Sequence, residues 1–422
     1  MHFFKKLKQT LIYFLLVPIG SLVAQTTIDS PPETISLAQA LQRAITTDPR
    51  LKLNATFAEA AEGQVEQANL SPNPVVGTEF ENFLGTGPVS GIGGIEITLS
   101  VSQVIETANK RRKRTALKQA ERTLVDWERE SLLAEVEASV RSAFIDVLLA
   151  QQLLELRRDQ LNLSESSAEE TARLVEAARS SQVEQTRAQL AVRQQQFALQ
   201  QAQRELKTAK SVLASFWGES EEAQFSVAGK IVLNSEVPDF SKLVSKLTAT
   251  AALARYTAEE HTREVALDVE RARTTPNFEV FAGGRYLNED DGNIGFVAGV
   301  EIPWPLFDKN QGNIRTARAQ LRAVGYEREA VRRELMIRLN RAYQQLLNAQ
   351  ADANMIQSDL LPAAEATLSD TEEAYERGQF TQLSVLESRS ALFDAREAYL
   401  QVLRRYEVAQ AEIEALTRIV KF

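Results

Sequence analysis

Between Thr107 and Trp217 the chain runs for 111 residues without a glycine or a proline. Within that run apolar residues recur seven apart, at Leu133, Val140, Val147, Leu154 and Leu161, with Val136, Ala143 and Ala150 at the intervening positions. A second series sets Leu335, Ala342, Ala349 and Ile356 between Leu339, Leu346, Ala353 and Leu360. Sustained 3-4 spacing with charges between means helices packed along a coiled-coil seam, and the many alanines on it imply close approach. A helix from Thr107 to Ala178 would reach roughly 105 Å at 1.5 Å per residue. A single rod of the whole run is too long for one chain, so it must reverse. "ARSSQ" (178–182) and "RGQFT" (377–381), the latter with Gly378 to free the turn, are the expected tips of two antiparallel helical hairpins, 107–217 and 308–418.

The two tips occupy equivalent places because the chain repeats itself. "SPNPVVGTEF" (71–80) matches "TPNFEVFAGG" (275–284), Thr115-Ala116 stands opposite Thr316-Ala317, and "VEQTRAQL" (183–190) lines up with "VLESRSAL" (385–392). The offsets are 204, 201 and 202, which points to duplication of a whole unit and not to a short solenoid repeat. The expected organisation is a first repeat at 25–217, a mixed linker at 218–239 and a second repeat at 240–422. Each repeat opens with short helices (Leu37–Thr46 and Pro49–Asn69; Phe240–Arg255 and Ala258–Arg273), then two strands, then the hairpin.

The strands are expected at 73–83, 94–103, 277–287 and 294–304, each about ten residues, a length that suits a tilted membrane strand. Ile95, Ile97, Leu99 and Val101 alternate with Glu96, Thr98, Ser100 and Ser102, while Phe296, Ala298, Val300, Ile302 and Trp304 line one face of the last strand. Periodicity alone leaves a small soluble sheet open as an alternative. Export, matched strand hairpins and helices too long for a compact fold favour a membrane barrel. Export is read from Lys5, Lys6 and Lys8, the apolar run Leu11–Val23 and a cleavage point at Ala24-Gln25, which makes 1–24 a signal peptide. Four strands cannot close a barrel, and an open edge is forbidden in lipid. Three copies give twelve strands and a water-filled lumen, so a homotrimer is expected.

Composition narrows the chemistry. Cysteine is absent, so no disulfide, thiol nucleophile or thiol lipid anchor exists, and His2 and His261 are the only histidines. Three methionines complete a poor set of soft metal ligands. No metalloprotease, phosphate-loop or triad arrangement can be assembled; no enzyme activity, cofactor or metal site is expected. Removing residues 1–24 takes away three basic residues and no acid, moving the formal charge from −9 to −12. An acidic exported chain is a poor nucleic-acid binder. The basic run Lys110–Arg114 therefore reads as a solvated helix start at the periplasmic edge of the membrane, with lipid-headgroup contact as the second possibility.

"NPVVGTEFENF", "IEITLSVSQVIETANKRR" and "VEIPWPLFDKNQGNIRTARAQL" carry a resemblance to the TolC-like outer-membrane efflux proteins, over essentially the whole mature chain and nearest to the heavy-metal, cobalt-zinc-cadmium branch. The resemblance implies a mainly α fold with membrane β. A trimeric twelve-stranded barrel continues as a long α-helical tunnel that docks on a periplasmic adaptor and an inner-membrane RND-type pump. Many relatives carry a lipid-modified N-terminal cysteine; this chain does not. By the same resemblance Tyr375 matches a constriction tyrosine and Glu387 an inner acidic ring, with Ser384 where TolC has a second acid. Phe380 stands in place of a basic gate residue and Gln182 in place of its acidic partner. Such a gate would hold by packing and hydrogen bonds more than by ion pairs. The tips, Arg179, Ser180 and Ser181 with Arg377, Gly378 and Gln379, are the expected adaptor contacts. Metal cargo rests on the resemblance alone. Drug efflux or type I secretion are alternative uses of such a duct, and a periplasmic coiled-coil adaptor is the alternative from another class.

Overall fold

A computed structural model of the chain describes residues 33–219, 224–229, 231, 233, 237–288 and 292–419. The expected signal peptide, part of the linker and the centre of the 288–293 loop lie outside the described residues. In chain order the elements are β1 (Glu33–Ile35), α1 (Leu37–Thr47), α2 (Pro49–Ala68), β2 (Val75–Glu81), a 3₁₀ turn (Gly87–Val89) and β3 (Glu96–Ile105). The first hairpin is α3 (Lys110–Glu176) and α4 (Gln182–Ser215), followed by β4 (Phe225–Val227), α5 (Phe240–Leu247), α6 (Ala251–Ala272), β5 (Phe278–Leu287) and β6 (Asn293–Glu301). The second is α7 (Gln311–Met355), a π turn (Ile356–Leu360), α8 (Leu361–Glu376) and α9 (Gln382–Leu416).

Local chemistry sets these boundaries. Ser36 and Gln39 form a reciprocal capping box at the start of α1. Asp48 caps α2, with Pro49 in the first helical position where its missing N–H is harmless. Both long hairpins begin in the same way: Asn109 and Asn310, 201 positions apart, hold left-handed backbone at φ 56° and 57°. Asparagine tolerates that region better than other side chains, so the chain bends there from strand into helix. At 67 residues α3 spans about 100 Å at 1.5 Å per residue.

The sheet order is β2-β3-β5-β6, antiparallel throughout. Register places Phe80, Thr78 and Val76 beside Ile97, Leu99 and Val101, then Tyr286, Gly284 and Ala282, then Ile294, Phe296 and Ala298. That face is apolar and open in the single chain: Phe296 is 93% exposed and Val76 69%. The other face carries Glu79, Glu81, Glu96, Thr98 and Arg285. A period of two divides the residues this way wherever register holds.

Below the sheet the helices lie side by side. Next to it the order is α2–α3–α6–α7; further down it is α4–α3–α9, with α7 and then α8 beyond. The core sits at mid-height. Val136, Val140, Val147 and Leu213 pack with α1, β1 and β4, while Leu339, Ala342, Leu346 and Ala349 pack with α5 and α9. Ile145, Leu149 and Leu403 join the two clusters. Among the described residues no helix is long and apolar enough to cross a membrane.

Several boundaries differ from expectation. The second strand starts at Glu96 and runs to Ile105, and Ile95 lies in the preceding turn, its N–H donating to Ile92 O. The short helices of the second half divide at Thr248–Thr250 and not near Tyr256, because Thr250 adopts extended backbone and bridges to Ile419. The second hairpin is not continuous. Pro362 lacks the N–H that α-helical pairing would use, and the preceding turn widens to π geometry.

Candidate channel gate

The two hairpin tips fold by the same hydrogen bonds. Arg179 N–H donates to Leu174 O and Ala178 N–H to Val175 O; Gln379 N–H donates to Ala374 O and Gly378 N–H to Tyr375 O. This is the Schellman pattern, which needs one left-handed residue. Ala178 (φ 56°) supplies it in the first tip and Gly378 (φ 72°) in the second. Ser181 and Thr381 then cap the returning helices through Glu184 N–H and Ser384 N–H.

The residues expected at the gate occupy different environments. Tyr375 is half-buried near the end of α8, and burial, reinforced by the Glu170 carboxylate, pushes its hydroxyl above the ordinary value. Phe380 is 54% exposed in the turn. Ser384 is engaged in the Thr381 cap. Glu387 is exposed on α9 with no ion-pair partner among the described residues. Gln182 bonds to Gln185 on its own helix, 2.9 Å away, and among the described residues makes no bond to the other hairpin. Arg179, Ser181, Arg377, Gly378 and Gln379 are exposed at the extreme end and Ser180 is half-exposed; Arg377 pairs with Glu373 at 2.8 Å.

The contact between hairpins falls on residues that the sequence did not single out. Gln382 Nε2 donates to Ser167 O (3.1 Å) and Ser167 Oγ (3.2 Å), joining α9 to α3. About three turns higher on α3, Arg157 reaches Glu397 at 2.6 Å and Gln160 Oε1 at 2.8 Å. Within the second hairpin Thr371 Oγ1 lies 3.0 Å from Ser388 Oγ, and Arg389 pairs with Glu372 at 2.7 Å. Below Leu154 the buried side chains of α3 are Gln160, Ser167 and Thr171. One signal was available: Thr171 and Thr371 hold equivalent places 200 residues apart. Both are buried and both bond back to the carbonyl four residues earlier.

At the opposite end, Arg285 crosses the polar face of the sheet. Its guanidinium donates to Thr98 Oγ1 (3.0 Å) and pairs with Glu96 (2.9 Å) and Glu81 (2.8 Å). Glu279 and Glu301 stand directly opposite one another in the register, with no ion-pair partner among the described residues. Among the described residues no group of three or more His, Cys, Asp or Glu side chains is placed to hold a metal. Helix ends, hydroxyls and scattered ion pairs of this kind are suited to lining a passage.

A family model described as outer membrane efflux protein matches residues 244–417. The cobalt-zinc-cadmium resistance protein CzcC of Cupriavidus metallidurans is 28% identical over 382 residues, 90% of each chain. The nickel-cobalt-cadmium resistance protein NccC of Alcaligenes xylosoxydans is 27% identical over 76% of this chain and 72% of its own. Among solved structures, the outer membrane protein VceC of Vibrio cholerae superimposes with a TM-score of 0.73 at 17% identity, over 90% of this chain and 96% of that one. The paired hairpins and the four-stranded sheet thus occur in a chain whose second half matches the outer membrane efflux protein model, whose sequence is similar to CzcC over 90% of its length, and whose fold is that of VceC.

Proposed function

We propose that three copies of this outer-membrane efflux channel close into a ring, a twelve-stranded barrel continued by a helical tunnel, and that it is the exit duct for heavy-metal cations. One observation carries the ring: a single chain ends in unsatisfied edges at every height. In the sheet the edges are β2 and β6, whose outer ladder groups have no partner. An unpaired edge is untenable in lipid. Next to the sheet the edges are α2, with Leu53 and Phe57 more than half exposed, and α7, with Tyr326 80% exposed. Towards the tip they are α8 and α4, and α4 bares Val183, Leu190 and Phe197 at seven-residue spacing. At each height one edge belongs to the first half and the other to the second. A neighbouring copy rotated about one axis covers all three at once. The same matched order of elements, with left-handed Asn109 and Asn310, supports descent of the two halves from one duplicated unit.

The tips, Arg179–Ser181 and Arg377–Gln379, are exposed helix ends suited to a periplasmic adaptor hairpin, which would couple the duct to an inner-membrane RND-type pump. Tyr375, Phe380, Ser384, Glu387 and Gln182, with Gln382 and Ser167 added, form the constriction above them. Three copies of Glu387 around one axis would favour cations. Metal cargo follows the resistance functions for which CzcC and NccC are named. Deleting the gene tests it: growth on zinc, cobalt and cadmium should fall while tolerance to a drug panel is unchanged. Unchanged metal tolerance with new drug sensitivity would replace the cargo and leave the duct standing.

A further inference from the structure

We propose that the cleft between the end of α2 and the start of α3 binds the phosphate of an anionic phospholipid in the periplasmic-facing leaflet; this rests on the reading that the sheet is the membrane segment. The apolar face of β3 ends at Ile105, and α3 begins five residues later. There a cleft of about 460 Å³ opens, lined by Ser71, Gln103, Glu106, Lys110, Arg111 and Arg112 among others. Beyond the Ser71-Pro72 corner a second, of about 660 Å³, adds Arg114 and Lys118.

The basic side chains divide into two sets. Lys110 is tied into the fold, its Nζ donating to Thr275 O and Asn277 Oδ1. Arg114 is likewise committed, to Glu106 and to the carbonyls of Ala68 and Leu70 that close α2. That bond also occupies Glu106, the acid lining the first cleft. Arg111 and Arg112 remain exposed. Arg111 donates to Ser71 Oγ at 2.7 Å, and Arg112 has no partner among the described residues. Two guanidinium groups therefore face solvent side by side without a local counter-ion, in a chain whose charge is otherwise acidic. Their planar donor sets match a phosphodiester. Exposed Val76, Val101 and Ile105 lie immediately on the membrane side, where acyl chains would run.

The second junction sharpens this. At the corresponding place it exposes Ile302, Trp304, Leu306 and Phe307, an apolar and aromatic set fit for the membrane interface, and it has Gly312 and Asn313 where the first junction has Arg111 and Arg112. The exposed arginines of the second junction, Arg315 and Arg318, stand about one and two turns further along their helix, so the adjacent guanidinium pair at the membrane edge belongs to the first junction, and the apolar surface beside it selects a lipid over a free anion.

The test uses the full chain extracted in detergent and native mass spectrometry with phosphatidylglycerol or phosphatidylcholine, with inorganic phosphate as the free-anion arm. The expected result is roughly tenfold preferential retention of phosphatidylglycerol, falling to less than twofold in the Arg111→Gln/Arg112→Gln variant, with no competition from millimolar phosphate. Arg112→Gln alone serves if the double variant does not fold, since it removes no contact, and should lose part of the preference. Undiminished preference in both variants, or full competition by inorganic phosphate, overturns the proposal. A wild-type chain that stays in solution without detergent and binds neither lipid overturns the membrane reading itself, a distinct outcome from lipid binding without headgroup preference.

Discussion

The same helical seam is built from different materials at its two heights. At mid-height α3 and α7 bury Val136, Val140, Val147, Leu339, Ala342 and Ala349, each at most 1% exposed. Towards the tip the polar Gln160, Ser167, Thr171 and Thr371 are buried beside Ala374, Val385, Leu392 and Phe393, and the polar links between hairpins are hydrogen bonds and one ion pair. Apolar burial is non-directional and is lost only when the helices part. A hydroxyl or amide bond contributes about 1 kcal/mol net and can be exchanged for water without collapse of the packing. On the proposed gate, the upper seam would serve as the frame while the lower one separates and re-forms.

Substitutions can break the contrast, beginning at mid-height. Leu339→Ala empties a fully buried site and should cost about 2–5 kcal/mol, read as a lowered thermal midpoint, with single-channel conductance of surviving protein unchanged. Glu397→Gln acts on the lower seam. It leaves Arg157 without its carboxylate at a pair whose side chains are only 18% and 26% exposed, a loss of about 1–3 kcal/mol. It should raise open-channel conductance more than it lowers the midpoint. If it destabilises the whole protein without opening it, the lower seam is part of the frame.

Smaller changes sharpen the comparison. At the tips, exchanging the left-handed residues should have opposite signs: Ala178→Gly stabilises and Gly378→Ala destabilises, each by about 1 kcal/mol. No atom crowds the Gly378 Cβ position, so backbone angle alone decides the sign. Glu407 adds a pH dependence. Burial, and Glu414 nearby, raise its carboxyl above the ordinary 4.5, partly offset by Arg141. The folded chain then binds this proton more tightly than the unfolded one, so stability falls as pH rises above 4.5 through the raised value. Glu407→Gln should raise the thermal midpoint at neutral pH, with a gain that vanishes as pH drops below 4.5.

The frame was legible in the sequence and the latch was not. Leu133, Val140 and Val147 announce a seam by spacing, and parity sorted Leu99 from Thr98 onto opposite faces, because both patterns are local and periodic. The pattern misleads at Leu161, which continues the heptad yet is only half-buried, while Ser167 nearby takes the interior place. Serine, threonine and glutamine look alike whether buried or solvated. Gln382 meets Ser167 across 215 positions, and no local motif encodes such a pairing. Pro362 was visible as an interruption, but its consequence, a π turn in one hairpin and none in the other, depends on the packing around it.

The central claim is that one chain is a third of a ring. The mass of the detergent-extracted particle, measured by native mass spectrometry, tests it most directly. Three chains per particle are predicted; a single chain that remains in solution without detergent would contradict the account.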